Sequence, residues 1–300
     1  MLPPNLLGLV LGLVSSIIWG GHGVLARIAV GGGAAGQGFV PLDLLFFRYL
    51  PSALVLAPLA WRYRAVLVEL GWRRMLLLCL CGGAPNLLLF VTAMVWAPAS
   101  HGGTIAPMTV PIAGALLAIP MLREWPTRGR AAALCAMAAG VVLIGWDGLV
   151  GPQQGAWIGD LLLIGAGATW GMFTLMLRRW RIPAIPSTAI IALLSAILVV
   201  PIWLVVRLPV AGSLPVNGVI TQLIGQGLLM GVGAMFLYGK AVELLGATRA
   251  ASLSVMVPVT GLTASAWFLA EPLTGLKLAG ASLAVLGMLA AVLFTGRRQG

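Results

Sequence analysis

Charge is scarce in this chain. Only 8% of its 300 residues are Asp, Glu, Lys or Arg, and the seven acids are outnumbered by eighteen bases. Soluble domains are about a quarter charged, so a water-exposed fold is excluded. With 60% hydrophobic residues and a mean hydropathy of +1.06, the chain reads as an all-α integral membrane protein. The three cysteines, Cys79, Cys81 and Cys135, sit in apolar stretches with no histidine at ligand spacing, which argues against a disulfide framework or a zinc site and leaves them as packing residues. No metal or other cofactor is implied. No long polar linker or low-complexity segment leaves room for a soluble catalytic lobe. There is also no His-x-x-x-His, no Gly-x-Ser-x-Gly and no pair of intramembrane aspartates, the groupings that a membrane-embedded enzyme needs.

What the sequence does have is apolar runs of about 20 residues, each long enough at 1.5 Å per residue to cross a ~30 Å hydrocarbon core. They lack the period-2 alternation of barrel strands, so they are helices. Ten are expected, at 6–29, 42–60, 75–96, 102–121, 130–147, 157–177, 188–206, 219–240, 249–269 and 275–295. The stretch "VGGGAAGQG" (Val30–Gly38) reads as the first exterior loop. The N-terminal "MLPPN" carries no Lys or Arg, so the first span is expected to be retained and not cleaved as a signal peptide.

The net charge of +11 is no nucleic-acid footprint, because the bases alternate with the spans. Fourteen follow the even-numbered spans or close the chain, among them Arg62, Arg64, Arg73, Arg74, Arg123, Arg128, Arg130, Arg178, Arg179, Arg181, Lys240, Arg249, Arg297 and Arg298. Arg27, Arg207 and Lys277 fall on the other side, and Arg48 lies inside span 2. The positive-inside rule then places both termini in the cytoplasm, consistent with an even number of spans.

A shift of 147 residues lays "VPIAGALLAIPMLREWP" (from Val110) on "VPVTGLTASAWFLAEPL" (from Val257), matching Pro111 with Pro258, Gly114 with Gly261 and Glu124 with Glu271. A nearby offset pairs "WGGHGVLAR" at Trp19 with "WGMFTLMLR" at Trp170. The halves, 1–148 and 149–300, are thus two copies of a five-helix unit, and an odd number of helices forces the second copy to be inverted. Together with "FFRYLPSALVL" (Phe46–Leu56), these motifs resemble the drug/metabolite transporter superfamily, in its ten-helix EamA-type branch. The resemblance implies an inner-membrane carrier of small metabolites, often an exporter, working by alternating access. It further implies helices 3, 4, 8 and 9 around a central cavity, with helices 1, 2, 6 and 7 as gates. Helix 1 has no acidic residue, so the helix-1 glutamate of the four-helix multidrug members has no counterpart here. Trp125 replaces the proline that follows Glu271, and helix 7 has no equivalent of Arg48.

Candidate residues follow. Gly20, Gly21 and Gly23 beside Trp19, repeated as Gly171 beside Trp170, describe either a close helix contact or a flexible helix lining the solute path. On the second reading, bulk at Gly20 or Gly21 impairs movement more than folding. His22 shares a face with Trp19, and His101 opens helix 4; each is a packing residue or a proton relay. Arg48 either anchors helix 2 to carbonyls or a glutamate, or binds a solute carboxylate, and Asp43, five residues earlier, is off the ideal helical spacing for a pair. Glu124 and Glu271 read as anchors at span ends. Asn86, Phe90 and Trp96 in helix 3, Thr104 and Met108 in helix 4, Tyr238 in helix 8 and Ser254 in helix 9 complete an aromatic, weakly polar cavity, with Pro111 and Pro258 as structural positions in helices 4 and 9.

Such a cavity suits a neutral or zwitterionic solute, and amino acids, including aromatic ones, fit better than nucleotide sugars, which need several intramembrane bases. The alternatives are a membrane-embedded enzyme acting on lipid and a helical scaffold or scramblase without a defined solute site. The partners implied are a small-molecule solute and membrane lipid, with no nucleic acid; the oligomeric state stays open, and a monomer suffices. The orientation is testable with single cysteines and an impermeant thiol reagent in intact cells. Positions 33, 151 and 212 should label and positions 62, 64, 128, 179 and 298 should not, whereas labelling of position 128 from outside would overturn the topology.

Overall fold

The computed structural model describes residues 3–31, 37–150 and 155–296; test positions 33, 151 and 298, with Arg297 and most of the Val30–Gly38 loop, lie outside them. Among the described residues there is no strand. Ten helices among these residues are long and apolar enough to cross a membrane: α1 (Pro4–Val30), α2 (Pro41–Arg62), α3 (Trp72–Trp96), α4 (Ala99–Leu122), α5 (Arg128–Val150), α6 (Ala156–Trp180), α7 (Pro186–Val206), α8 (Val216–Leu245), α9 (Arg249–Leu269) and α10 (Gly275–Val292). Their ends fall within five residues of those read from hydropathy. Many are apolar on every side because lipid and neighbouring helix are equally apolar, so large side chains such as Leu54, Ile197, Val205 and Trp267 stay exposed on the bundle surface.

Without a hydrophobic drive between helices, close backbone approach has to hold the bundle together, and glycines supply it. The contacts obey the internal repeat. A Cβ at Gly20 of α1 would stand 2.9 Å from the Val257 carbonyl of α9, and one at its mate Gly171 of α6 would stand 2.7 Å from the Val110 carbonyl of α4. In the α5–α10 pair, Gly140 meets the Gly280 carbonyl at 2.7 Å and its mate Gly287 meets that of Ala133 at 2.9 Å. The ends of α4 and α9 match as well. Arg123 and Ala270 are both left-handed, with φ of 57° and 51°. The following residues, Glu124 and Glu271, donate their N–H groups to Ala118 and Ser265 carbonyls, both at 3.3 Å.

Several helices are interrupted at membrane depth. Helix α1 breaks at Gly21, α3 at Gly83 and α9 near Ser254, while α8 runs through a π-helical stretch at Leu223–Gly233. Two of the breaks are served by serines from a neighbouring helix, as backbone groups freed in hydrocarbon require. Ala84 N–H donates to Ser195 Oγ of α7 at 2.9 Å, and Ser52 of α2 donates to the Gly227 carbonyl at 3.0 Å.

The two ends of the bundle differ. At the arginine-rich end, Glu124 holds Arg178 by two bonds of 2.7 and 2.8 Å, both side chains exposed. At the opposite end, its mate Glu271 accepts the N–H groups of Ala99 and Ser100 at 2.6 and 3.1 Å and so clamps the start of α4 to α9. There too Arg27 donates to the Met94 and Val95 carbonyls at 2.6 and 2.9 Å. Buried Asp43 binds Arg207 and the Trp203 indole there, not Arg48. Toward the arginine-rich end, α2 and α8 diverge around an apolar crevice of about 540 Å³, lined by Leu56, Leu59, Arg62, Val232 and Phe236.

The glycines of α1 divide into two kinds. A Cβ at Gly20 would collide with Thr260 and the Val257 carbonyl, and one at Gly23 would lie 2.6 Å from the Ala99 carbonyl, whereas one at Gly21 meets only carbonyls of its own helix at 3.6 Å. Bulk at Gly20 therefore affects folding first, contrary to the expectation from sequence. Gly20→Leu should destabilise the purified protein by about 1 to 3 kcal/mol, the cost of overpacking, and lower its yield. Gly21→Ala should leave thermal unfolding at the parental value.

Candidate functional site

The break in α1 sets His22 in the middle of the bundle, where four helices bring polar and aromatic groups together. The π-helical stretch of α8 contributes Gln226; such bulges re-aim side chains and recur at functional sites. The Gln226 Oε1 accepts from His22 Nε2 at 3.1 Å and lies 3.5 Å from Arg48 Nη1. Arg48 is set on α2 one turn before Ser52, whose hydroxyl donates to both the Arg48 and Gly227 carbonyls. Phe90 of α3 stacks on the His22 imidazole, with centroids 4.3 Å apart and planes parallel to within 1°. One turn before His22, Trp19 meets Tyr238 of α8 at 5.3 Å, and Tyr238 interacts with Ser254 at the break in α9.

Two features of this cluster are unbalanced. The Gln226 Nε2 is buried and has no hydrogen-bond partner, a costly condition for an amide donor. Arg48 carries a full charge at membrane depth, and among the described residues it meets no carboxylate, only the Gln226 amide oxygen. Of the two readings open for Arg48 from sequence, anchoring to carbonyls or a glutamate is not what the fold provides. Gln222, one turn before Gln226, donates to the Leu25 carbonyl at 3.1 Å while its own buried oxygen stays unpartnered. Both glutamines were missed by sequence reasoning. The signal was present in "TQLIGQG", two amides four residues apart beside glycines inside an apolar span.

Of the expected residues, His22 meets Phe90, Trp19 meets Tyr238 and Tyr238 meets Ser254, whereas the others lie elsewhere. Asn86 donates to the Ala166 carbonyl and the Thr169 hydroxyl, both at 2.7 Å, so its amide hydrogens link α3 to α6. Trp170 packs on Phe173 at 5.0 Å and joins the core. Trp96 lies exposed at the end of α3 near Gly155. Thr104 is buried with its hydroxyl on the Ser100 carbonyl, and Met108 is fully buried against Gly140. Helix α4 therefore contributes no side chain to the cluster, a correction with a steric reason. It is packed against α9 so closely that a Cβ at Gly103 would stand 2.7 Å from the Gly261 Cα. The cluster is lined instead from α1, α2, α3 and α8, with Ser254 of α9 beside Tyr238. His101 lies apart and fully buried at the α4 start, between Asp147 at the end of α5 and Asp160 at the start of α6.

Comparison with known proteins accords with this architecture. The family model described as the EamA-like transporter family matches the chain twice, over residues 6–146 and 157–293. A protein of Bacillus subtilis (strain 168), the uncharacterized transporter YwfM, is 28% identical over 283 residues, which is 92% of this chain and 90% of the relative. A solved crystal structure shares the fold with a TM-score of 0.61 at 19% identity, covering 95% of this chain and 97% of its own.

Proposed function

Because the chain belongs to the EamA-like transporter family, we propose that it carries amino acids with aromatic or apolar side chains across the bacterial inner membrane by alternating access, in the export direction. In this reading the arginine-rich end and both termini are cytoplasmic.

The observation that carries the reading is the pairing of Arg48, without a carboxylate partner among the described residues, with the unpartnered Gln226 Nε2. A solute carboxylate placed between them neutralises the guanidinium and accepts from the amide, so one group resolves both deficits. The His22–Phe90 stack and the Trp19–Tyr238 pair offer ring faces beside it, worth about 0.5 to 1.5 kcal/mol beyond area burial for an aromatic solute. The geometry of the ends supports the cycle. Glu271 and Arg27 fasten one end while α2 and α8 part toward the other, and exchange of the two inverted repeats would swap these roles. Breaks at Gly21, Gly83 and the π-helical stretch supply the hinges.

Counterflow in proteoliposomes tests it, with phenylalanine, alanine and phenylethylamine as solutes. Phenylalanine should exchange, and phenylethylamine, which lacks the carboxylate, should not. Arg48→Gln should lower phenylalanine exchange about 10-fold or more, the weight of a charge-assisted hydrogen bond. Trp19→Ala should weaken phenylalanine binding about 2- to 13-fold and affect alanine less. Equal transport of the amine, or parental exchange by Arg48→Gln, would sink the assignment.

A further inference from the structure

The second cluster, around His101, is built from five side chains on four helices and the turn before α10. His101 opens α4 and is fully buried; its Nδ1 lies 2.7 Å from Asp160 Oδ1 at the start of α6. Its Nε2 has no hydrogen-bond partner and faces Asp147 Oδ2, at the end of α5, across 4.0 Å. Asp147 accepts from the Thr274 hydroxyl through its other oxygen, and Lys277 of α10 approaches it to 3.8 Å. Lys277 is itself buried and also lies 3.4 Å from the Pro272 carbonyl. From the turn after α9, Glu271 holds the backbone of the same turn of α4, and from α1 Arg27 faces Glu271.

Charge counting points to what the cluster binds. Asp147 and Asp160 supply two negative charges facing the imidazole, and Lys277 supplies one positive charge. With a neutral ring one buried charge is left over; with an imidazolium the set is balanced. The site of addition is open, because Nδ1 is engaged with Asp160 and the unpartnered Nε2 is directed at the second carboxylate. We propose that this cluster is a proton-binding site whose occupancy is tied to closure of the arginine-poor end, so that transport exchanges a proton for solute.

A proton delivered by water forms an N–H bond at Nε2, and the imidazolium then bridges Asp160 and Asp147. This joins α4 and α6 to α5, which the Gly140 and Gly287 contacts hold against α10. Release of that proton leaves two carboxylates across a neutral ring, with Lys277 against Asp147 alone, and the end loosens. Any difference in proton affinity between the closed and open forms couples proton to solute by linkage. The proposal rests on the chain acting as a carrier but not on the identity of the solute.

The experiment uses wild-type protein in proteoliposomes with the potential clamped, radiolabelled phenylalanine as probe and an imposed pH gradient. Wild type should accumulate phenylalanine several-fold above equilibrium. His101→Gln and Asp147→Asn should lose that accumulation while keeping phenylalanine counterflow. Wild-type counterflow without gradient-driven accumulation, or accumulation by His101→Gln, would overturn the proposal. Absence of wild-type counterflow would instead reject phenylalanine as solute. A measurement independent of solute and of variant folding then decides: nitrogen-15 imidazole spectra of the wild-type chain, which has only two histidines. A reversible protonation step of the buried ring between about pH 5 and 9 supports the site, and two rings that each keep one protonation state throughout overturn it.

Discussion

The approach of helix backbones through glycine is the constraint on which the rest of this structure depends. In lipid a leucine gains nothing by leaving hydrocarbon for hydrocarbon, so contact must come from shape. Gly103 and Gly261 bring α4 onto α9, Gly20 and Gly23 bring α1 onto both, and Gly167 and Gly171 bring α6 onto α4. Gly227 and Gly231 bring α8 onto Phe47 and Ser52 of α2 in the same way, and the apolar crevice between these two helices lies beyond those contacts, at Leu56, Arg62, Val232 and Phe236.

Hydrocarbon also sorts the charges. Among the described residues, the buried acids Asp43, Asp147 and Asp160 lie at one end with Arg27, Arg207 and Lys277, where each finds a partner on another helix or on helix-end carbonyls. These bonds cross between helices and close that end. The arginine-rich end relies on exposed pairs such as Glu124–Arg178 and Lys240–Glu243, which water screens and which hold little. One end is thus fastened by buried charge and the other is free to part, although the two repeats share their motifs. The mates Glu124 and Glu271 show the asymmetry most directly, since one carboxylate meets a solvated arginine and the other caps a buried helix start.

The central cluster adds the functional consequence. Arg48 and Gln226 are left with more hydrogen-bonding capacity than the surrounding residues satisfy, in a place where water does not make up the difference cheaply. A chain assembled only for stability would pair or remove such groups. The π-helical stretch Leu223–Gly233, which carries Gln226, and the break at Gly21, which precedes His22, are also the segments with the least regular backbone.

Hydropathy, turn residues and the placement of arginines were enough to read ten spans, the repeat and the class of the fold, because each depends on local composition and on the fixed rise of a helix. The sequence likewise exposed His22, Trp19 and Arg48 as out of place in an apolar run. It did not disclose that Gln226 answers Arg48, since 178 residues separate them and only a π-helical register brings the amide around. Nor did it disclose that Thr104 and Met108 are packing residues, because a polar or sulfur side chain reads the same whether it faces a cavity or a glycine on the next helix. Asp147 and Asp160 sit on different helices and look unrelated in the chain, yet His101 stands between them. The amino-acid sequence by itself determined the spans, their number and the inverted repeat; only the tertiary structure decided which polar groups meet, because distance across a bundle is set by backbone contact and not by separation along the chain.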